Sequence, residues 1–152
     1  MRAAAMNAGV GAIAFPLPLV MSDAGLPDVL RSTLEACAYA IRANLEQLDE
    51  VSGGHIEQLH LGGGMSRIGL LPQLLADVID RPVRLARSPE TSAVGAAMLA
   101  FVATGRFGSL DEAAEAMTGG TLTFEPRPRH SAEYDDYYAR WRELSQRMME
   151  AN

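Results

Sequence analysis

The sequence predicts an α/β layer domain, a short parallel sheet flanked by helices, and it predicts that this sheet is incomplete. Three observations lead there. Apolar residues at helical spacing alternate with short strand-like runs in the order helix, strand, helix, strand, helix, which favours parallel strands. Three consecutive glycines, Gly62, Gly63 and Gly64, join the first of these strands to a helix. Only two core strands are convincing, whereas an independently stable sheet usually needs more.

Taken in order, residues 1–24 read as an extended N-terminal segment and residues 25–152 as one domain. The apolar stretch 3–19, behind Arg2, resembles a short signal peptide in composition. Pro16 and Pro18 interrupt it and no small-residue cleavage pattern follows, so residues 10–19 are expected to be extended. The stretch is also too short and broken to span a bilayer as a helix. Residues 26–48 place Val29, Leu30, Leu34, Cys37, Ala38, Ile41, Leu45 and Leu48 at three-to-four spacing, one buried helix face, with Pro27 in the first turn. Ser52-Gly53-Gly54 stops that helix, and residues 56–61 suit a short strand.

After the glycines, Leu70, Leu71, Leu74, Leu75, Val78 and Ile79 return to helical spacing. Pro72 fits only if the helix has just begun, which sets its onset within 66–70. Residues 83–86 form a second strand, and Ser88 is the expected cap of a third helix over 91–104. Its small residues, Ala93, Gly95, Ala96, Ala97 and Ala100, predict close packing on the sheet, and Gly105 ends it. Ser109 with Glu112 predicts a capping box for a short helix ending at Met117. The tail begins extended at Thr121 and becomes helical from about Ser131, with Tyr134, Tyr137, Tyr138, Trp141, Leu144 and Met148 on one face.

At 152 residues and 48% hydrophobic content, the chain can form a core without metals or disulfides. A net charge of −6 argues against nucleic acid or an anionic membrane surface as the main partner. The single cysteine, Cys37, has no partner for an intrachain disulfide, and the cytoplasm is the expected compartment. His55, His60 and His130 are not at metal-ligand spacing, and no catalytic constellation is visible; Asp77 is expected to be a locally paired helix residue.

The glycine loop allows two readings on spacing alone: a plain strand-to-helix turn, or a ligand cradle at a helix N-terminus. A dinucleotide fingerprint lacks its third glycine, because the sixth position from Gly62 is Arg67. Arg84 and Arg87 would nevertheless suit a 2′-phosphate, which keeps an NADP reading open. A P-loop is excluded, since no Gly-Lys-Ser/Thr follows.

Four segments in sequence carry a resemblance: DVLRSTLEACAYAIRANLEQL, IEQLHLGGGMSRIGLLPQLLADVIDRPVRL, ETSAVGAAMLAFVATG and TLTFEPRPRHSAEYDDYYARW. Together they resemble the C-terminal nucleotide-binding domain of the FGGY carbohydrate kinases. The resemblance implies half of an actin-like, ribonuclease H-like ATPase fold. It further implies an adenosine motif in which Gly62, Gly63 and Gly64 approach the adenosine and nearest phosphate, with Met65 and Ser66 beside the base or ribose. Gln73, Asp77 and the Glu90 region become positioning elements. The cofactors implied are ATP and Mg²⁺, and the partner is an N-terminal sugar-binding lobe that supplies the catalytic aspartate and the phosphate loops. Without that lobe the chain is not expected to transfer phosphate. Eight residues separate the glycines from Gln73, one more than in many members, and Ile68 falls where a polar residue often stands. The unfinished sheet also predicts self-association.

Overall fold

The structure is a computed structural model that describes residues 25–150. The expected extended segment over residues 10–19 lies outside the described residues. Helix α1 (Leu26–Ser52) begins with Pro27 in its first turn, where the Asp28 carboxylate accepts the Gly25 N–H at 2.9 Å. It ends on Gly53 in the left-handed region at φ 64°. Its buried surface is wider than the predicted stripe. Ala38 and Leu45 are buried as expected, but so are Tyr39 and Ala43, while Leu30 and Leu48 are more than half exposed. The reason is that α1 is covered from two sides, by the helix after the glycines and by the C-terminal helix.

Strand β1 (Leu59–Leu61) is shorter than the run from 56 that alternation suggests. The backbone of Ile56 is satisfied by side chains instead: its N–H donates to Asp49 at 2.8 Å and its carbonyl accepts from Arg81 at 2.8 Å. A 3₁₀ turn (Gly64–Arg67) follows the glycines, and helix α2 (Leu71–Ile79) starts later than the predicted onset, with Pro72 in its first turn. Every residue of α2 except Gln73 is buried, because α2 lies between α1, the sheet and the C-terminal helix.

Strand β2 (Val83–Ala86) has the predicted bounds and pairs parallel to β1, with Leu59, His60 and Leu61 opposite Val83, Arg84 and Leu85. Helix α3 (Thr91–Ala103) is capped at Glu90 rather than Ser88; the Ser88 hydroxyl accepts the Glu90 N–H at 3.3 Å and so shapes the turn before the cap. Gly105, at φ 72°, closes α3 with a bond from Arg106 N–H back to the Phe101 carbonyl at 2.8 Å. Helix α4 (Leu110–Met117) has the predicted Ser109 cap, accepting from Glu112 N–H at 3.1 Å. The Glu112 carboxylate reaches Gly108 N–H at 2.7 Å, one residue before the reciprocal position.

The expectation for α3 itself fails. No residue of α3 is buried, and a Cβ at Gly95 would meet nothing within 4 Å. Its principal neighbour is α4, and Phe107, in the loop that leads to α4, meets Phe101 edge to face at 6.0 Å. From Ala93 to Ala103 the helix carries no polar side chain, so it is apolar all round, a composition suited to a buried helix.

Strand β3 (Thr121–Phe124) follows two glycines in the left-handed region, Gly119 and Gly120, and pairs antiparallel to β2, with Val83 opposite Phe124 and Ala86 opposite Thr121. The two core strands are thus parallel as expected, and the tail's extended stretch, turning back along β2, adds an antiparallel third that makes the sheet mixed, in the order β1-β2-β3. Helix α5 (Pro128–Glu150) begins three residues before the predicted start. Its inner face holds Tyr134 and Tyr138, with Trp141 half-buried; Tyr39 meets the Trp141 ring at 5.8 Å. Tyr137 and Leu144 are more than half exposed, off the 134–138–141 row that packs on Tyr39 of α1.

Candidate functional site

The glycine loop lies where β1 ends, beside the start of α3. Two of the three glycines are required by the protein's own geometry. A Cβ at Gly62 would stand 2.6 Å from Thr91 Cγ2, so the close approach of β1 to α3 demands glycine there. Gly63 is left-handed at φ 84°. Gly64 is different: its φ is not positive, and nothing lies within 4 Å of its Cβ position. Neither packing nor backbone conformation requires glycine at 64, and the space it leaves is open to a ligand.

Met65 is half exposed. Ser66 turns back on its own loop: its hydroxyl donates to the Gly63 carbonyl at 2.6 Å and its N–H donates to the same oxygen at 3.1 Å. Its hydrogen is thus engaged, and its lone pairs remain to accept. Arg67, in the 3₁₀ turn, forms an ion pair with Glu90 at the start of α3, tying the loop to that helix.

Of the five residues singled out in the sequence, Gly62 alone lines a cleft of about 300 Å³. Its other walls include His60, Arg84, Thr91 and Thr121, contributed by both parallel strands, the first residue of α3 and the first of β3. Thr91, Thr121 and His60 were not legible as site residues. The Thr91 contact depends on where two elements meet, and the other two depend on strand register. A smaller hollow of about 80 Å³, between α1 and α2, is lined by Arg42 and Arg81. Both arginines are already engaged there, Arg42 with the Val78 carbonyl at 2.9 Å and Asp135 at 2.7 Å, Arg81 with Asp49 at 2.6 Å.

Asp77 is not paired locally alone. It accepts from Gln73 at 3.0 Å, and from Arg127, fifty residues on, through the backbone N–H at 2.9 Å and the guanidinium at 2.5 Å. Gln73 also donates to the Glu125 carbonyl at 2.9 Å. Burial pushes the Asp77 carboxyl up, but the Arg127 and Gln73 hydrogen bonds outweigh it and hold the group below the usual carboxylate range. Asp49 is held low as well, by Arg81 and the Ile56 N–H. These groups fasten α2 to α5 and α1 to β1, outside the cleft.

No carboxylate lines the cleft, and among the described residues no group of three or more His, Cys, Asp or Glu is placed to hold a metal ion. The chain's own side chains therefore do not fit Mg²⁺ at this place. The cleft offers instead the Thr91 and Thr121 hydroxyls, the His60 imidazole and one guanidinium, Arg84, and the open space at Gly64 lies on the adjoining loop. Among the described residues, no helix is long and apolar enough to cross a membrane.

A strand, a glycine turn, a buried helix and a second parallel strand with this loop geometry define the class expected from the resemblance. Residues 1–104 match the FGGY family of carbohydrate kinases, C-terminal domain, and the chain belongs to that family. It is 34% identical over 121 residues to a glycerol kinase of Aquifex aeolicus (strain VF5), covering 80% of this chain and 24% of that protein. It is 37% identical over 125 residues to a ribulokinase of Geobacillus thermodenitrificans (strain NG80-2), covering 77% of this chain and 22% of that protein. Among solved structures, the xylulose kinase from Rhodospirillum rubrum superposes with a TM-score of 0.70 at 27% identity, over 88% of this chain and 26% of that one. The chain thus spans about a quarter of the length of the relatives it matches.

Proposed function

We propose that the chain is the adenosine-binding part of an ATP-dependent carbohydrate kinase of the cytoplasm, acting with an N-terminal sugar-binding lobe. In the assembled enzyme the γ-phosphoryl group of Mg-ATP passes to a sugar or polyol hydroxyl. Phosphoryl transfer needs the nucleophile, γ-phosphate and metal positioned together, and the cleft residues supply only the nucleotide side of that arrangement. Mg²⁺ enters with the phosphates rather than on side chains of this cleft. The names of the relatives, glycerol kinase, ribulokinase and xylulose kinase, favour a polyol or ketopentose as acceptor.

Gly64 is the observation that carries the reading, because it is a glycine with no need inside the protein and open space before it. Titration calorimetry of the 152-residue chain with ATP and adenosine tests it directly. Binding is expected, with Gly64→Val weakening it at least tenfold while the thermal midpoint stays unchanged. No heat at millimolar nucleotide, or equal binding by the variant, would sink the reading.

Self-association is a second reading. The apolar α3 surface favours it, with Leu99 at 60% and Phe101 at 43% exposure. Light scattering over a concentration series gives the answer, and a constant monomer mass rules it out.

A further inference from the structure

Strands β2 and β3 pair in antiparallel register, and the last partners in that ladder are Ala86 and Thr121. Residues 87–120, which include α3 and α4, are therefore an insert between two paired strands: the chain leaves the sheet at one point and returns beside it. The two crossings run together, since the Arg87 Cδ lies 3.6 Å from where a Gly119 Cβ would stand. On the return side Gly119 and Gly120 are both left-handed, at φ 65° and 84°. This paired stem is the insert's only covalent tie to the sheet.

Its packing is also its own. Among the described residues α3 and α4 pack chiefly on each other, no residue of α3 is buried, and Ala113 of α4 is fully buried outside the cluster that forms the main core. Helices of 13 and 8 residues are marginal in water without packing of this kind. Two features near the stem tie the insert to the glycine loop. Gly62 lies so close to Thr91 that a Cβ would stand 2.6 Å from Cγ2, and the Arg67 guanidinium in the 3₁₀ turn pairs with the carboxylate of Glu90, the cap residue of α3. Arg67 and Glu90 are both well exposed, so the pair is weak, and a weak tie is one that a small change at the loop can shift.

We infer that residues 87–120 form a separately opening arm, latched to the glycine loop by the Arg67–Glu90 pair. Opening means that α3 and α4 detach and unravel together about the stem while α1, α2, α5 and the sheet stay folded. Because the latch joins loop to arm, a ligand that favours the closed loop favours the closed arm. A partner covering the apolar face of α3, where Leu99 and Phe101 are exposed, favours the closed loop in return. The latch rests on its own geometry; only the choice of ATP as the ligand rests on the adenosine reading.

Hydrogen exchange followed residue by residue tests the arm, on the native chain, Arg67→Ala, Glu90→Ala, the double variant and the charge exchange Arg67→Glu/Glu90→Arg. The helix amides of α3 and α4 are expected to share one opening constant, about tenfold or more above that of α2. Each single variant should raise it about two- to fivefold, the double variant no further, and the charge exchange should restore it, with α2 amides unchanged throughout. Arm amides as slow as those of α2 overturn the separate opening, and equal arm exchange in the native chain and Arg67→Ala overturns the latch. Millimolar ATP is then added, with its binding read by calorimetry; arm protection should rise in the native chain and rise less in Arg67→Ala. ATP that binds without changing arm exchange overturns the coupling. ATP that does not bind overturns the adenosine reading and leaves the latch standing on its Arg67 dependence.

Discussion

The sharpest mechanical consequence of the loop is the pairing of Gly62 with Thr91. Alanine at 62 is conformationally allowed, because φ there is not positive, but its Cβ would stand 2.6 Å from Thr91 Cγ2. Favourable carbon–carbon contact lies near 3.5–4.0 Å, so the end of β1 and the start of α3 must part by about 1 Å. Rotating Thr91 is restricted by its branched Cβ in a helix. Overpacking of this size costs about 1–3 kcal/mol, and loss of unfolded-chain freedom on Gly→Ala returns about 0.4–1 kcal/mol. A net loss of about 1–2 kcal/mol follows, roughly 3–6 °C for a chain of this length. Thr91→Ser removes Cγ2 and keeps the hydroxyl; at an exposed position it should change stability by less than about 0.5 kcal/mol. In Gly62→Ala/Thr91→Ser the clash is gone, and stability should recover by about 1 kcal/mol relative to Gly62→Ala. Urea denaturation of all four proteins measures the coupling. Additivity within about 0.3–0.5 kcal/mol would show that Thr91 is not what excludes a side chain at 62.

Asp77→Asn should cost about 2–3 kcal/mol, since the buried group loses charge-assisted bonds to Arg127; the denaturant midpoint reports it. Because the folded carboxyls of Asp77 and Asp49 are held below their unfolded values, their contribution is fully present above about pH 4 and is lost as pH falls through the folded values. An Asp49→Asn/Asp77→Asn protein should show a flatter acid limb in stability against pH. Tyr138, pushed up to about 12 by burial and by its bond to Glu46 at 2.8 Å, should ionise late in a spectrophotometric titration, and Tyr39 should follow later still. Tyr138→Phe should remove the earlier of these two late steps and lower stability by about 1 kcal/mol.

Much of the architecture was legible wherever a local rule suffices. Strand β2 is bracketed by Pro82 and Ser88, α4 opens on Ser109, and Gly53 and Gly105 end their helices as left-handed caps. Features set by distant partners were not legible. Tyr39 and Ala43 lie off the α1 stripe, and only the arrival of α5 and α2 buries them. The direction of β3 depends on how the Gly119–Gly120 turn returns the chain, which spacing does not encode. Small residues in α3 promised close packing on the sheet, yet no residue of α3 is buried. The same holds for the site: three glycines between a strand and a helix were visible at once. That one answers to Thr91, one to a left-handed backbone and one to neither required a dihedral and a distance.

The bond network around Asp77 also dictates an order of events. Until Arg127 is in place, α2 would have to bury a carboxylate with little beyond Gln73 to satisfy it, an expensive state for a helix otherwise almost wholly inside. Bringing residues 77 and 127 together closes a fifty-residue loop at an entropic cost of about 3.5 kcal/mol and upward. Arg127 and the start of α5 therefore complete the satisfaction of the carboxylate that α2 buries. A growing chain that carries α1, both parallel strands and the whole glycine loop lacks this lock on α2 until the stretch after β3 has been added.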